Sequence, residues 1–194
     1  MRTTNTIGLA LIGLMSGLMS GLMPGPAGAQ TPPAAPEPVK AAVEVTKADI
    51  EAAARIGMAA LKPGVSVSDR NISLADIGAY AVTVAYVTRP ATTVQSGNAL
   101  RHDKITEIYY VVRGSGTQVT GTLVDPVPSA GSATIGPGAA SKKPITGGRS
   151  VALGPGEMQI IPPGLGHAWA EIGDGGIVYM VIRVDPEHVL GISK

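Results

Sequence analysis

From residue 65 onward, the chain alternates between short runs of β-branched or aromatic residues and clusters of glycine, proline and small polar residues. Runs of this kind are typical of β-strands, and glycine or proline marks nearly every boundary between them. Many short strands at regular spacing predict an all-β sandwich or small barrel. The predicted strands are residues 71–74, 80–88, 107–112, 118–124, 150–153, 159–161, 168–172 and 177–184.

A helical pattern precedes the strands, over residues 46–64. Thr46 can cap a helix whose first turn holds Asp49, and the sequence Lys62-Pro63-Gly64 would end it. Apolar residues recur at helical spacing and predict one face that packs on a sheet. These residues are Ile50, Ala54, Met58 and Leu61.

The N-terminal 29 residues have the composition of a secretory signal peptide. Arg2 precedes an apolar segment over residues 7–23, and small residues end at Ala29. This order predicts cleavage after Ala29 and a periplasmic or secreted protein. The alternative is an uncleaved membrane anchor, but Pro24 and Pro26 after the apolar segment favour cleavage, which leaves no membrane span. Residues 30–45 are rich in proline and alanine and predict a semi-stiff linker.

Charge and cysteine content exclude several classes of function. The chain has 15 basic and 14 acidic residues, and loss of Arg2 with the signal peptide makes the remainder formally neutral. A neutral chain does not favour a nucleic-acid partner. The absence of cysteine excludes disulfides and thiol chemistry, so stability has to come from a packed core.

Two segments in the strand-rich part contain the candidate chemistry. The first, RHDKITEIYYVVRG, holds His102 and Glu107, and the second, GEMQIIPPGLGHAWAE, holds His167. The whole chain has three histidines, and two of them lie in these segments. Two imidazoles and a carboxylate suit a divalent first-row metal with coordination positions left open.

The spacing in these segments resembles the two conserved motifs of the cupin superfamily. The matching positions are His102, Glu107 and Gly114 in the first motif and Gly156, Pro162, Gly164 and His167 in the second. The resemblance implies a cupin-type β-barrel, a double-stranded jelly roll, over residues 65–185. It also implies a homodimer and one divalent metal per chain (Fe, Mn, Zn or Ni), held by His102, Glu107 and His167.

Two positions depart from the family pattern. The family's first motif usually has a further histidine at the position of Leu100, and its second often has asparagine at the position of Glu171. Leu100 cannot bind a metal, so the expected ligands are two histidines and one carboxylate. This set can still hold a metal on one face, and a lineage that no longer binds metal is the alternative.

The alternation of side chains along a strand predicts what surrounds the ligands. Glu107 would share its face with Tyr109 and Arg113, and His167 would share its face with Trp169 and Glu171. We expect Tyr109 or Glu171 to move a proton in catalysis, and Trp169 and Arg113 to line a substrate pocket. The alternatives are that the two aromatic side chains only fill the core, and that Glu171 lies exposed at the barrel end.

Two further segments are predicted to lack regular secondary structure. Residues 125–148 lack an apolar period and predict a long loop, which either covers the pocket mouth or is a solvated insertion. Residues 186–194 predict a C-terminal tail in which His188 is a surface histidine.

Two functions remain open at the level of sequence. The first is a metal-dependent enzyme, of the lyase or isomerase type or of the dioxygenase type, that acts on a small organic molecule. The second is a non-catalytic barrel that binds a small ligand such as a sugar or an organic acid. The amount of bound metal separates the two.

Overall fold

The computed structural model describes residues 41–192 and contains one helix and nine strands in that range. The all-β prediction with a short N-terminal helix is therefore confirmed. The predicted signal peptide and most of the predicted linker lie outside the described residues. The elements are α1 (Lys47–Ala60), β1 (Ser68–Asp76), β2 (Ala81–Arg89), β3 (Ala99–His102), β4 (Thr106–Thr122), β5 (Val127–Ser129), β6 (Gly138–Ser141), β7 (Thr146–Leu153), β8 (Met158–Ile161) and β9 (Gly166–Asp185).

All strand pairs are antiparallel, and two long strands connect two halves of the fold. In the first sheet the order is β1, β2, the second half of β9, the first half of β4, and β8. In the second sheet it is β5, β6, β3, the first half of β9, the second half of β4, and β7. Since β4 and β9 pair along both halves, each crosses from one sheet to the other.

The bends in β4 and β9 lie where both strands have glycine. Gly114 has φ 75° and Gly176 has φ 80°, a region that side chains other than glycine rarely adopt. A Cβ atom on Gly114 would overlap the carbonyl oxygen of Gly176. The register between the strands also shifts between Gly114 and Gly116. Bulges and bends of this kind let one strand serve two packed sheets.

This arrangement differs from the predicted strand boundaries. The predicted pairs 107–112 with 118–124 and 168–172 with 177–184 are each one continuous strand, since the glycines between them bend the strand without ending it. The predicted loop at 125–148 is wrong in part, because it contains β5, β6 and the start of β7. Small residues such as Gly138 allow β6 to lie close to β3: a Cβ atom there would overlap the carbonyl oxygen of Arg101.

The helix α1 begins at the predicted cap. The Thr46 side chain accepts a hydrogen bond from the Asp49 backbone N–H, and the Asp49 carboxylate accepts one from the Thr46 N–H, which is the reciprocal capping box. The predicted packing face is displaced, since Ala53 and Gly57 are buried whereas Met58 is 54% exposed. The reason is close approach: a Cβ atom on Gly57 would lie 3.2 Å from the Thr88 hydroxyl oxygen.

The main core lies between the two sheets. It joins residues of the first sheet (Val87, Tyr109, Val111, Ile161, Tyr179, Val181) to residues of the second (Leu153, Trp169, Ile172). Among residues 41–192, no helix is long and apolar enough to cross a membrane.

Candidate metal centre

Three buried side chains from both sheets converge in the interior. His102 ends β3, Glu107 is the second residue of β4, and His167 is the second residue of β9. They are 5%, 1% and 4% exposed, respectively. The Nε2 atoms of His102 and His167 lie 3.5 Å and 3.3 Å from Oε2 of Glu107. One ligand atom from each residue lies within 4.8 Å of the others.

The turn between β8 and β9 places the second histidine against the first motif. Gly164 has φ 81° in this turn, and its backbone N–H donates a hydrogen bond of 2.8 Å to the carbonyl oxygen of His102. The two sequence motifs are thus joined by a backbone hydrogen bond next to the ligands. This turn therefore fixes the position from which His167 points into the interior.

The donor set fits a first-row metal ion. Metal bonds to histidine nitrogen and carboxylate oxygen are about 2.0–2.2 Å long, so ligand atoms around one ion lie roughly 3.0–3.5 Å apart. The two nitrogen-to-oxygen distances fall in this range. Nδ1 of His167 also lies 3.3 Å from the carbonyl oxygen of Leu165. This contact fixes the orientation of the His167 ring, as outer contacts do for metal-binding histidines.

The carboxylate of Glu107 is held in its ionised form. Its Oε1 accepts a hydrogen bond of 2.8 Å from Nε of Arg183. Burial by itself would raise the pKa of Glu107, but the charge of Arg183 and hydrogen bonds from His102 and His167 hold this pKa well below its usual range. The structure therefore provides an ionised ligand oxygen, Oε2, inside the core.

Arg183 is the principal functional residue that sequence reasoning missed. It is 1% exposed, and its other nitrogens donate to both carboxylate oxygens of Asp69 and to Oδ1 of Asn71. Burial would lower the pKa of Arg183, but Asp69 and Glu107 raise it above its usual value. The sequence does contain an indication of this role, since Arg183 is a charged residue within the apolar run IVYMVIRVD. A charge buried in such a strand needs a partner.

Tyr109 and Trp169 point inward, as the alternation predicted. The Tyr109 hydroxyl donates a hydrogen bond of 3.0 Å to Oε2 of Glu107. The Tyr109 and Trp169 rings are stacked with centroids 6.4 Å apart. Burial, and next the negative charge of Glu107, raise the pKa of Tyr109 well above its usual value. The phenol is thus a neutral donor beside the ligand oxygen.

Arg113 does not line the pocket, contrary to the expectation from alternation. Its side chain is exposed on the outer surface. The register of β4 against β9 passes from Val111–Tyr179 to Arg113–Val178, so β4 contains one extra residue at this point. Such a bulge reverses the alternation beyond it, and this turns Arg113 outward.

Glu171 is also outside the interior, and the cause is the same. The register passes from Gln118–Trp169 to Thr117–Glu171, so β9 has an extra residue, Ala170. Trp169 therefore points inward and Glu171 is exposed. Its carboxylate accepts a hydrogen bond of 2.8 Å from the Thr117 hydroxyl. The predicted inward carboxylate is wrong, and the alternative of an exposed Glu171 is confirmed.

The cavity beside the ligands is small. Its volume is about 20 Å³, which is room for a bound ion or roughly one water molecule. Leu100, which replaces the expected further histidine, lies directly opposite His167 in the strand register and lines this cavity. Ile135, from the segment predicted to be a loop, lines it too.

Comparison with known proteins adds a likeness of fold. No family model and no curated protein matches the chain. Among solved structures, KdgF from Halomonas sp. is 14% identical at a TM-score of 0.39, covering 66% of this chain and 84% of that one. The lyase DddQ from Ruegeria pomeroyi is 15% identical at a TM-score of 0.37, covering 61% of this chain and 46% of that one. An oxalate oxidase is 22% identical at a TM-score of 0.40, covering 68% of this chain and 56% of that one. At identities and TM-scores this low, the likeness indicates nothing about the activity of this chain.

Proposed function

We propose that this chain is a cupin that binds one divalent first-row metal through His102, Glu107 and His167 and acts as an enzyme on a small organic molecule. The observation that supports it is the approach of two imidazole Nε2 atoms to one ionised carboxylate oxygen in the core. A purely structural role does not require two imidazole nitrogens directed at one buried carboxylate oxygen. The metal would supply Lewis acidity or bind oxygen, as the lyase or oxygenase type requires.

The surrounding residues have defined parts in this proposal. Arg183 keeps Glu107 ionised and fixes its orientation through Oε1. Tyr109 holds a proton at Oε2 of Glu107 and is the candidate proton donor. Trp169 and Leu100 form apolar walls that limit the access of water.

A second candidate, a non-catalytic barrel that binds a small ligand, is favoured by one observation. The cavity has a volume of only about 20 Å³, and Leu100 occupies the position of a ligand in the related motif. A small site with three ligands would suit capture of a very small ligand. Turnover of small carbonyl or carboxylate compounds by the metal-loaded protein, lost in Tyr109→Phe with the metal retained, would favour the enzyme.

The test of the proposal is metal content by elemental mass spectrometry, on protein purified without a histidine tag. We expect one metal ion per chain in the wild type and loss of that metal in His102→Ala and in His167→Ala. His188→Ala is the matched control, because this third histidine is 38% exposed and bonded to Asp76, and it should retain the metal.

The outcomes separate the alternatives. Iron would favour oxygen activation, whereas zinc, nickel or manganese would favour lyase or isomerase chemistry. A wild-type protein that stays empty after exposure to all four ions, or variants that retain full metal, would contradict the proposal. An empty site would leave the small-ligand barrel.

We also propose export, on the basis of the N-terminal composition. N-terminal sequencing of the protein from the periplasm or medium of a bacterial host should begin at Gln30. A chain recovered only from the cytoplasm with its first 29 residues intact would contradict this.

A further inference from the structure

Arg89, at the end of β2, is a partly exposed arginine that forms no salt bridge with a carboxylate of the described residues. Its Nε donates to the Tyr179 hydroxyl at 2.9 Å, and its Nη1 donates to the carbonyl and hydroxyl oxygens of Ser96 at 3.1 Å and 3.2 Å. A guanidinium has five N–H donors, so the two on Nη2 have no partner within residues 41–192. No carboxylate in that part of the chain lies within ion-pair distance of Arg89.

This guanidinium lines the same cavity as the candidate ligands. The Tyr179 ring that receives its hydrogen bond lies 4.8 Å from the Tyr109 ring, centroid to centroid, and Tyr109 donates to Glu107. Arg89 is therefore two side chains away from the ligand oxygen.

A second unused donor is present on the cavity wall. Trp169 is 1% exposed. Its Nε1–H has no partner with good hydrogen-bond geometry, and its interaction with the nearby Tyr179 hydroxyl is weak. Buried indole N–H groups usually have a partner. The free donors of Arg89 and Trp169 both belong to the cluster around Tyr179.

The charges of the cavity wall also favour an anion. The charged residues that line it are Asp69, Glu107, Arg183 and Arg89. Arg183 forms ion pairs with both carboxylates, so Arg89 has only the longer-range charge of Asp69 to balance it. With a divalent cation bound, the net charge of this set is +2, counting both histidines as neutral. Such an excess of positive charge favours the binding of an anionic ligand at this cavity.

We infer that the ligand of this barrel is a small anion, a carboxylate of a few heavy atoms, bound by the free N–H groups of Arg89 with the indole N–H of Trp169 as a further donor. The inference rests on the proposed metal site and names its ligand class. A guanidinium with two N–H groups on one nitrogen suits a carboxylate oxygen, and charge-assisted hydrogen bonds of this kind are among the strong ones. The cavity is small, so a carboxylate larger than formate or acetate would require its walls to move.

The experiment is calorimetric titration of zinc-loaded protein with sodium acetate, after its metal content has been measured. We expect saturable binding of one acetate per chain, weakened about 10-fold or more in Arg89→Gln, as loss of a charged hydrogen bond predicts. Arg113→Gln is the matched control, since it removes an arginine from the outer surface, and it should bind acetate as the wild type does. Acetamide, which is neutral, should bind far more weakly than acetate.

Two further variants keep the inference testable if Arg89→Gln does not fold. Arg89→Lys preserves the charge and should weaken acetate binding less than the loss of charge does. Trp169→Phe preserves an aromatic wall but removes the N–H, and it should weaken acetate several-fold with full metal content. Equal acetate affinity in the wild type and in every folded variant would overturn the inference while leaving the metal site intact. Absence of metal from the wild type would instead overturn the proposed function.

Discussion

Glu107 has two oxygens with separate partners, and this division decides what the residue can do. Oε1 is bonded to Arg183, whereas Oε2 faces Tyr109 and the two histidines. The ion pair with Arg183 does not compete for the oxygen that would bind metal. Arg183 thus serves as a positioning residue: it keeps a buried carboxylate charged and fixed without occupying the site.

Replacement of Arg183 by methionine should destabilise the fold strongly. The change leaves Glu107 and Asp69 without their shared counter-charge, and breaking a buried ion pair from one side costs about 3–5 kcal/mol of unfolding free energy. Urea unfolding of the metal-free protein measures it. Arg149→Met, at an exposed position of β7, is the control and should change stability by less than about 0.5 kcal/mol. A similar small effect for both variants would show that the ion pair is not needed.

Leu100→His should increase the affinity of the site for metal. Position 100 lies opposite His167 in the register and lines the cavity, so an imidazole there can add a fourth ligand. Competition with a chromogenic chelator measures the affinity, and Leu100→Gln, which is polar but a poor ligand, is the control. Unchanged zinc affinity in the histidine variant would mean that this position does not reach the metal.

At the scale of elements, the site depends on the bends of β4 and β9. Glu107 belongs to the first sheet, and His102 and His167 belong to the second. The three ligands can meet only because the two sheets pack face to face, and β4 and β9 connect those sheets at their glycine bends. A change in a bend should therefore affect both the fold and the metal site.

Gly114→Ala tests this dependence, with Gly175→Ala as its matched control. Both glycines have positive φ, 75° and 86°, but a Cβ atom at Gly175 meets nothing within 4 Å, whereas one at Gly114 would overlap backbone. Backbone strain alone should cost Gly175→Ala about 1–2 kcal/mol. The added overlap should bring Gly114→Ala to about 3 kcal/mol or more, measured by urea unfolding. Equal losses in the two variants would contradict the role of close packing at the bend.

At the scale of the whole molecule, the outer face of the first sheet offers a place for the predicted homodimer. Tyr110 and Val112 on β4 and Met158 and Ile160 on β8 are 40%, 43%, 56% and 67% exposed, and Tyr110 is paired with Met158. Within the described residues β8 pairs only with β4, so its other edge is free for strand pairing. An apolar face beside a free edge suits a second copy of the same chain.

Light scattering coupled to size exclusion tests this prediction. The wild type should be a dimer, and the double variant Met158→Lys with Ile160→Lys should be a monomer with unchanged far-ultraviolet circular dichroism. Val94→Lys alters an apolar residue that is 68% exposed elsewhere and should leave the dimer intact. A monomeric wild type, or a dimer that survives the double change, would contradict it.

The sequence by itself determined the fold class, the helix start at Thr46 and the three candidate ligands, because these depend on local properties. Alternation, turn residues and capping act over a few neighbours, and the motif spacing identifies His102, Glu107 and His167 directly. Alternation also predicted correctly that Tyr109 and Trp169 face inward. These two residues precede the bulges, so the local rule still holds for them.

Only the tertiary structure decided what lies beyond the bulges and what surrounds the carboxylate. One extra residue in β4 and one in β9 turned Arg113 and Glu171 outward, and a bulge is a feature of two paired strands that neither strand shows alone. The pairing of Arg183 with Glu107 joins residues 76 positions apart. Such a contact depends on which strands become neighbours, and hydrophobic periodicity contains no information about that.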